Sequence, residues 1–255
     1  MKTISEVKQE FELAKGDREK LYLQYTDDTR QGVKNLIQKY KRADRQLQLE
    51  YKRLEMMSTY EKMHEKEGLI CGIDEAGRGP LAGPVVAAAV ILPKDCKILY
   101  LNDSKKLTAK RRDSLFDEIQ EKAIAVGVGI VGSERIDEIN ILQATYEAMK
   151  MAVANLKYEP NLLLNDAVTI PNLEIPQIPI IHGDAKSVSI AAASIIAKVT
   201  RDRMMAEYDK IFPEYGFADN KGYGSASHIE ALKENGPSFI HRRSFLKNFM
   251  NDFKE

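Results

Sequence analysis

Gly72-Ile73-Asp74-Glu75-Ala76-Gly77-Arg78-Gly79-Pro80-Leu81-Ala82-Gly83-Pro84 runs directly into an apolar stretch, Val85 to Leu92. Two adjacent carboxylates enter a Gly-Arg-Gly turn. A bare acidic pair repels an anion, whereas the same pair with metal ions can hold one. The glycines allow the backbone close to a ligand, and Arg78 between them is a donor fork suited to phosphate. Carboxylates beside a polar, glycine-lined surface are what phosphodiester chemistry requires. A nucleotide-binding phosphate loop is the competing reading, since Gly72 and Gly77 have its five-residue offset. However, Arg78 stands where that loop has lysine and Gly79 where it has a hydroxyl, and Asp74 and Glu75 would repel the phosphates. The blander alternative is a polar strand end and turn with no chemistry.

Upstream, residues 1–66 contain no proline and are dense in Glu, Lys, Gln and Leu. Leu36, Tyr40, Ala43, Leu47 and Leu54 keep the spacing of one face of an amphipathic helix. Between Lys34 and Arg53, seven basic residues (Lys34, Lys39, Lys41, Arg42, Arg45, Lys52, Arg53) stand against Asp44 and Glu50. A solvated helix face explains that excess more simply than a nucleic-acid contact. This N-terminal helical extension, 1–66, is expected to stop at Gly68.

Downstream the texture changes. Leu69 to Ile73, Val85 to Leu92 and Ala125 to Val131 read as buried strands, Leu162 to Leu164 and Ile178 to Ile181 as short ones. Thr108 to Ala123, Asp137 to Leu156 and Ser187 to Tyr208 read as helices. Strands first, then strands alternating with helices, predict an α/β fold with a mixed central sheet. The 255 residues suit one sizeable domain plus an appendage, and 38 basic against 38 acidic residues leave no net charge. Any nucleic acid must therefore be held by local patches. Cys71 and Cys96 form no metal-ligand pattern, which fits a reducing cytoplasm. The early charges Lys2, Glu6, Lys8 and Glu10 are not those of a secretory leader, and the longest apolar run is too short to span a bilayer.

Three strand ends now carry acids: Asp74 with Glu75, Asp166, and Asp184. Ligand sites in open α/β sheets gather at strand ends. Carboxylates crowded there call for cations, and oxygen-only ligands select Mg2+ or Mn2+ over zinc. Alone, Asp166 or Asp184 is equally well a turn or cap residue. Together with Asp74 and Glu75, the metal reading is preferred. His182, two residues before Asp184, reads as a packed or strand-edge residue rather than a ligand, and His228 and His241 as surface residues.

The block Gly72 to Pro84, Asp103-Ser104-Lys105-Lys106-Leu107, Asp166-Ala167, His182-Gly183-Asp184-Ala185-Lys186-Ser187, Lys198 to Arg203 and Lys221-Gly222-Tyr223-Gly224 resemble the type 2 ribonuclease H (ribonuclease HII) family of bacteria. The resemblance runs in order from about residue 70 to 245. It implies a ribonuclease H-like catalytic domain over 67–255, with a C-terminal helical part, that cleaves the RNA strand of RNA–DNA hybrids. It also implies incision at single ribonucleotides embedded in duplex DNA, leaving 5′-phosphate and 3′-hydroxyl ends. By the same resemblance Asp74, Glu75, Asp166 and Asp184 are catalytic and hold two divalent metal ions, Mg2+ or Mn2+. Gly77, Arg78 and Gly79 would read the ribose 2′-hydroxyl, and Tyr223 would pack its ring on the following deoxyribose while its hydroxyl reaches the 2′-hydroxyl. Lys105 would contact phosphate, with Ser187, Lys198 and Arg201 as further backbone-contact candidates. Asn165, before Asp166, departs from the apolar residue that the family pattern has there, a difference in the surroundings of that strand end. Phe245, Phe249 and Met250 could form a sliding-clamp tail, though a packed helix end is the simpler account. The rivals are a non-catalytic hybrid-binding module and another two-metal nuclease; the acids argue against the first and the Gly-Arg-Gly segment against the second.

Overall fold

The computed structural model describes residues 1–14 and 16–247. Two compact units divide the chain, Met1–Glu55 and Met56–Glu255. The first holds α1 (Ile4–Leu13), α2 (Glu19–Gln24) and most of α3 (Gln31–Met57). Thr3 and Glu6 form a reciprocal capping box that satisfies amides at the start of α1. Fully buried Phe11 stacks on Tyr40 with ring centroids 5.1 Å apart, among Val7, Tyr25 and Val33. Of the stripe expected on α3, Tyr40 and Leu54 are buried, whereas Ala43 is exposed. Lys34, Lys39, Lys41, Arg42 and Arg45 are exposed, as both a solvated face and a nucleic-acid contact require.

The second unit opens on the last residues of α3 and then α4 (Thr59–Met63), so the 55/56 division falls ahead of the boundary expected after residue 66. Next come β1 (Ile70–Ala76), β2 (Val85–Ile91), α5 (Ala109–Lys122), β3 (Ala125–Val131), α6 (Ser133–Ala154), β4 (Leu162–Asp166), β5 (Gln177–Ile180), α7 (Val188–Ile211), α8 (Phe217–Asn220) and α9 (Ala226–Asn235). The strands lie in the order β3-β2-β1-β4-β5. The β3/β2 and β2/β1 pairs are antiparallel, and β1/β4 and β4/β5 are parallel, which makes the mixed, helix-flanked sheet that was expected.

Burial explains the strand sequences. Every residue of β2, Val-Val-Ala-Ala-Ala-Val-Ile, is buried, because α6 and α7 both pack against it. On one face Cys71, Ile73, Ala87, Ala89 and Leu163 meet Ala144, Ala148, Met149 and Ala152 of α6. Each large aliphatic side chain buried there contributes about 1.5–3 kcal/mol. On the other face α7 rides directly on β1. A Cβ at Gly72 would stand 2.1 Å from the carbonyl carbon of Ser189, so only glycine admits the helix. Helix α6 starts at Ser133, earlier than the sequence suggests, and breaks at Asn140 (φ 66°, ψ 163°). The Asn140 carboxamide then accepts from the amides of Leu142 and Gln143 and caps the longer segment.

Candidate active site

Parallel pairing of β1 with β4 ends at Ile73 opposite Asn165, so Asp74 and Asp166 are the next residues on neighbouring strands, which run about 4.8 Å apart. Asp166 in turn pairs with Ile180 on β5, whose chain continues through His182 into the 3-10 turn Gly183–Ala185 that carries Asp184. The Gly183 amide donates to Asp166 Oδ1 at 2.7 Å and ties these strand ends together. Sheet order therefore gathers acids far apart in the chain. Asn165 does not disturb it: the side chain is buried and donates to Gln177 Oε1 at 2.8 Å, while Gln177 grips both the amide and the carbonyl of Ile170.

The electrostatics of the cluster are those of crowded carboxyls. Burial pushes the Asp74 carboxyl well up, and the charges of Glu75 and Asp166 push it further; hydrogen bonds from Ser194 and the Glu75 amide oppose this. Glu75 is likewise raised by burial and by Asp166, against Arg78, whose Nη1 donates to Glu75 Oε1 at 3.2 Å, and Lys105. Burial first, then Asp103 and Asp166, raise Asp184, with Lys105 again opposing. The carboxyl group of Asp103, a residue that the sequence offered only inside a family motif, lies close to that of Asp184. Among the described residues no three Asp, Glu, His or Cys groups already converge as the ligands of one ion, so the acids form a charge cluster rather than a closed cage. Their chemistry nonetheless fits a hard divalent cation, since all four candidate ligands are carboxylates whose mutual repulsion a cation relieves.

Beside the acids lies the Gly77–Gly79 loop. Gly77 has φ 95°, and a Cβ there would meet Arg201 Nε at 2.1 Å. A Cβ at Gly79 would stand 3.7 Å from Tyr223 Cε1, so the loop and the half-exposed Tyr223 ring are neighbours. Arg78, Gly79 and Lys105 are exposed at this surface.

Two arginines hold the loop from beneath. Arg242, fully buried, donates to the carbonyls of Gly77, Arg78 (2.9 Å) and Gly83 (2.8 and 2.9 Å). Arg201, 1% exposed, donates to the carbonyls of Pro84, Lys221 and Ala82. Burial, and then the charge of Arg201, lower the Arg242 guanidinium to about 9. In a trans peptide the N–H points opposite the C=O, so the amides of Arg78 and Gly79 face away from Arg242. Neither guanidinium has a carboxylate partner among these bonds; each replaces water at otherwise unsatisfied carbonyls.

Several expectations change. Arg201 is engaged with backbone rather than facing a phosphate. Ser187 is buried, caps α7 by accepting from the Ile190 amide, and gives its hydroxyl proton to Glu61. Lys198 pairs with Asp202 at 2.8 Å on its own helix. His182 is exposed in a left-handed conformation. His228 and His241 are not surface residues: both are buried, with their Nε2 atoms 3.0 Å apart. One neutral arrangement satisfies them, in which the Ser238 amide donates to His241 Nδ1, His241 Nε2 donates to His228 Nε2, and His228 Nδ1 donates to the Tyr223 carbonyl. Burial, and for His241 also the His228 charge, lower both, His241 to about 3. Phe245 packs against the α6-side core with Arg242 over its ring, while Phe249 and Met250 lie outside the described residues.

A mixed sheet with acids clustered at the ends of its parallel strands agrees with the ribonuclease H-like class that the sequence motifs imply. Residues 71–248 match the profile of the Ribonuclease HII family, and residues 3–65 that of the Ribonuclease HII N-terminal domain. The chain is 61% identical to "Ribonuclease HII" of Lachnoclostridium phytofermentans, covering 96% of this chain and 97% of the relative. It is 49% identical to "Ribonuclease HII" of Clostridioides difficile, covering 98% and 99%. Among solved structures, the ribonuclease H2 from Pyrococcus horikoshii OT3 superposes with a TM-score of 0.57 at 30% identity, covering 69% of this chain and 93% of that one. The ribonuclease HII in the PCNA complex from Archaeoglobus fulgidus superposes with a TM-score of 0.59 at 28% identity, covering 73% and 97%. A Bst-RNase HIII structure in complex with Mn2+, at 16% identity and a TM-score of 0.55, shares the fold.

The chain belongs to the ribonuclease HII family. It is a metal-dependent endoribonuclease acting on RNA–DNA hybrids. Among the described residues no helix is long and apolar enough to cross a membrane.

Proposed function

We propose that this enzyme, besides cleaving the RNA strand of hybrids, incises duplex DNA at single embedded ribonucleotides, with Asp74, Glu75, Asp166 and Asp184 holding two divalent ions, Mg2+ or Mn2+. The observation that carries the reading is the placement of the Gly77–Gly79 loop between the carboxylates and the Tyr223 ring. When bound, the ions supply an activated water and offset charge on the leaving oxygen. The chain's own residues do the selecting. Outward amides of Arg78 and Gly79 are donors for a ribose 2′-hydroxyl, approached closely because no side chain intervenes at glycine. Tyr223, anchored through its carbonyl by His228, offers its ring to the next deoxyribose. Lys105 is exposed and bears on Glu75 and Asp184, where a phosphate would also lie. Attack on phosphorus with departure of the 3′ oxygen leaves 5′-phosphate and 3′-hydroxyl ends. A sliding clamp is a secondary partner in this reading; with Phe245 committed to the fold, that contact would rest on Phe249 and Met250.

Tyr223→Ala tests the specificity claim. At a single ribonucleotide one 2′-hydroxyl and one following deoxyribose are available, so a lost stack and hydrogen bond have no substitute. The cost is about 1–3 kcal/mol, roughly tenfold to a hundredfold in kcat/KM. Long hybrid should suffer less. Equal losses on the two substrates would make Tyr223 a packing residue.

A further inference from the structure

The end of the N-terminal extension carries a carboxylate with no place in the mechanism above. Glu61, on α4 and within the second unit, accepts the Ser187 hydroxyl at 2.5 Å and the Ser189 amide at 3.0 Å through Oε1. Its other oxygen, Oε2, is buried without a hydrogen-bond partner. Next to it, Tyr60 packs on the cluster of Leu162, Leu164, Ile180 and Ile190, which joins β4, β5 and the first turn of α7.

The first turn of a helix presents unpaired amides and a partial positive charge, so a buried carboxylate is stabilised there. The helix so gripped is the one that serves the site. Ser187 follows Asp184 closely, and its amide donates to the Gly183 carbonyl at 2.8 Å, closing the turn that carries Asp184. Further along α7, Ser194 hydrogen-bonds Asp74 and sits 3.0 Å from the hydroxyl of Ser104. Displacement of the start of α7 therefore moves Asp184 and the support of Asp74 together.

We propose that Glu61 is a positioning residue for catalysis, a latch from the N-terminal extension that fixes the Asp184 turn and the start of α7. The proposal rests on the assignment of Asp184 as a metal ligand. It makes residues 56–66 part of the catalytic machinery, not a dispensable appendage.

The test uses full-length Glu61→Ala and Glu61→Gln beside wild type, each with a measured melting transition. Displacing a ligand-bearing turn by a fraction of an ångström costs about tenfold or more in kcat. Glu61→Ala should therefore lower kcat on hybrid roughly tenfold at unchanged KM. It should weaken Mn2+ binding by titration calorimetry and speed amide exchange over residues 183–190. Glutamine keeps an acceptor at Oε1 but loses the charge, so Glu61→Gln should fall between alanine and wild type. Should the alanine variant fail to fold, the glutamine variant decides, with reduced kcat and faster exchange supporting the latch. Wild-type kcat and wild-type exchange in the folded variants overturn it. Were wild type itself unable to cleave, the site assignment would fail, while amide exchange would still report on the latch.

Discussion

Asp74→Asn should abolish most cleavage, lowering kcat by roughly 10²–10³-fold, and at the same time raise the melting temperature of the metal-free protein at neutral pH. Both effects have one source. Asp74 is 6% exposed, and burial together with Glu75 and Asp166 raises its pKa in the fold. The ionised form is then less stable in the folded than in the unfolded chain. Such a raised carboxyl adds no penalty below its unfolded pKa, near 4, and an increasing one as pH rises from there towards the folded value. Asparagine keeps the oxygen that accepts from the Glu75 amide at 2.7 Å and is close in volume, so it removes charge without opening a cavity. The stability advantage of the variant should therefore be largest at neutral pH and disappear as pH falls below about 4. Circular-dichroism melts in chelator from pH 4 to 8, paired with hybrid cleavage assays, check both halves. A variant that is less stable than wild type at neutral pH, or that keeps near-wild-type turnover, contradicts the assignment.

Arg242→Lys should have the opposite signature, losing activity and stability together. Lysine has one point-like ammonium where the guanidinium reaches three carbonyls at once, those of Gly77, Arg78 and Gly83. Each buried carbonyl left without a donor costs about 1–3 kcal/mol. The freed peptides of Gly77 and Arg78 can then rotate, and with them the outward amides of Arg78 and Gly79. A 2′-hydroxyl reader that loses its geometry should cost about 10²-fold in kcat/KM at an embedded ribonucleotide. Thermal melts and kinetics on the variant decide. Unchanged kcat/KM at the ribonucleotide with a lowered melting temperature would make Arg242 a stabilising residue only.

The contrast between these two residues marks what was legible in the sequence. Strand ends advertise themselves: Asp74 directly follows an apolar run, Asp166 and Asp184 follow theirs after one and two intervening residues, and parallel pairing of β1, β4 and β5 brings those ends together. β2 is the seven-residue buried strand expected there, whereas β3 has the expected span but alternates, with Ile130 exposed. The roles of Arg201 and Arg242 were not legible, because a basic residue reads as a phosphate contact or a solvated charge. Their partners are backbone carbonyls, which leave no trace in side-chain pattern, and for Arg242 they lie some 160 residues away. His228 and His241 were hidden for a related reason. A histidine pair sharing one proton between rings needs only a dry pocket, here lined by Tyr215 and Phe217. Glu61 lies in a charge-rich helical stretch that resembles a solvated face, and only packing distinguishes it.

The most direct test of the central claim is cleavage of an end-labelled DNA duplex bearing one ribonucleotide, beside an all-DNA duplex of identical sequence, with Mg2+ or Mn2+ and with chelator. The acid cluster and the Gly77–Tyr223 surface predict a single incision at the ribonucleotide, with 5′-phosphate and 3′-hydroxyl ends, that stops in chelator and leaves the all-DNA duplex intact. Equal cutting of both duplexes, or cutting that persists in chelator, would contradict the account.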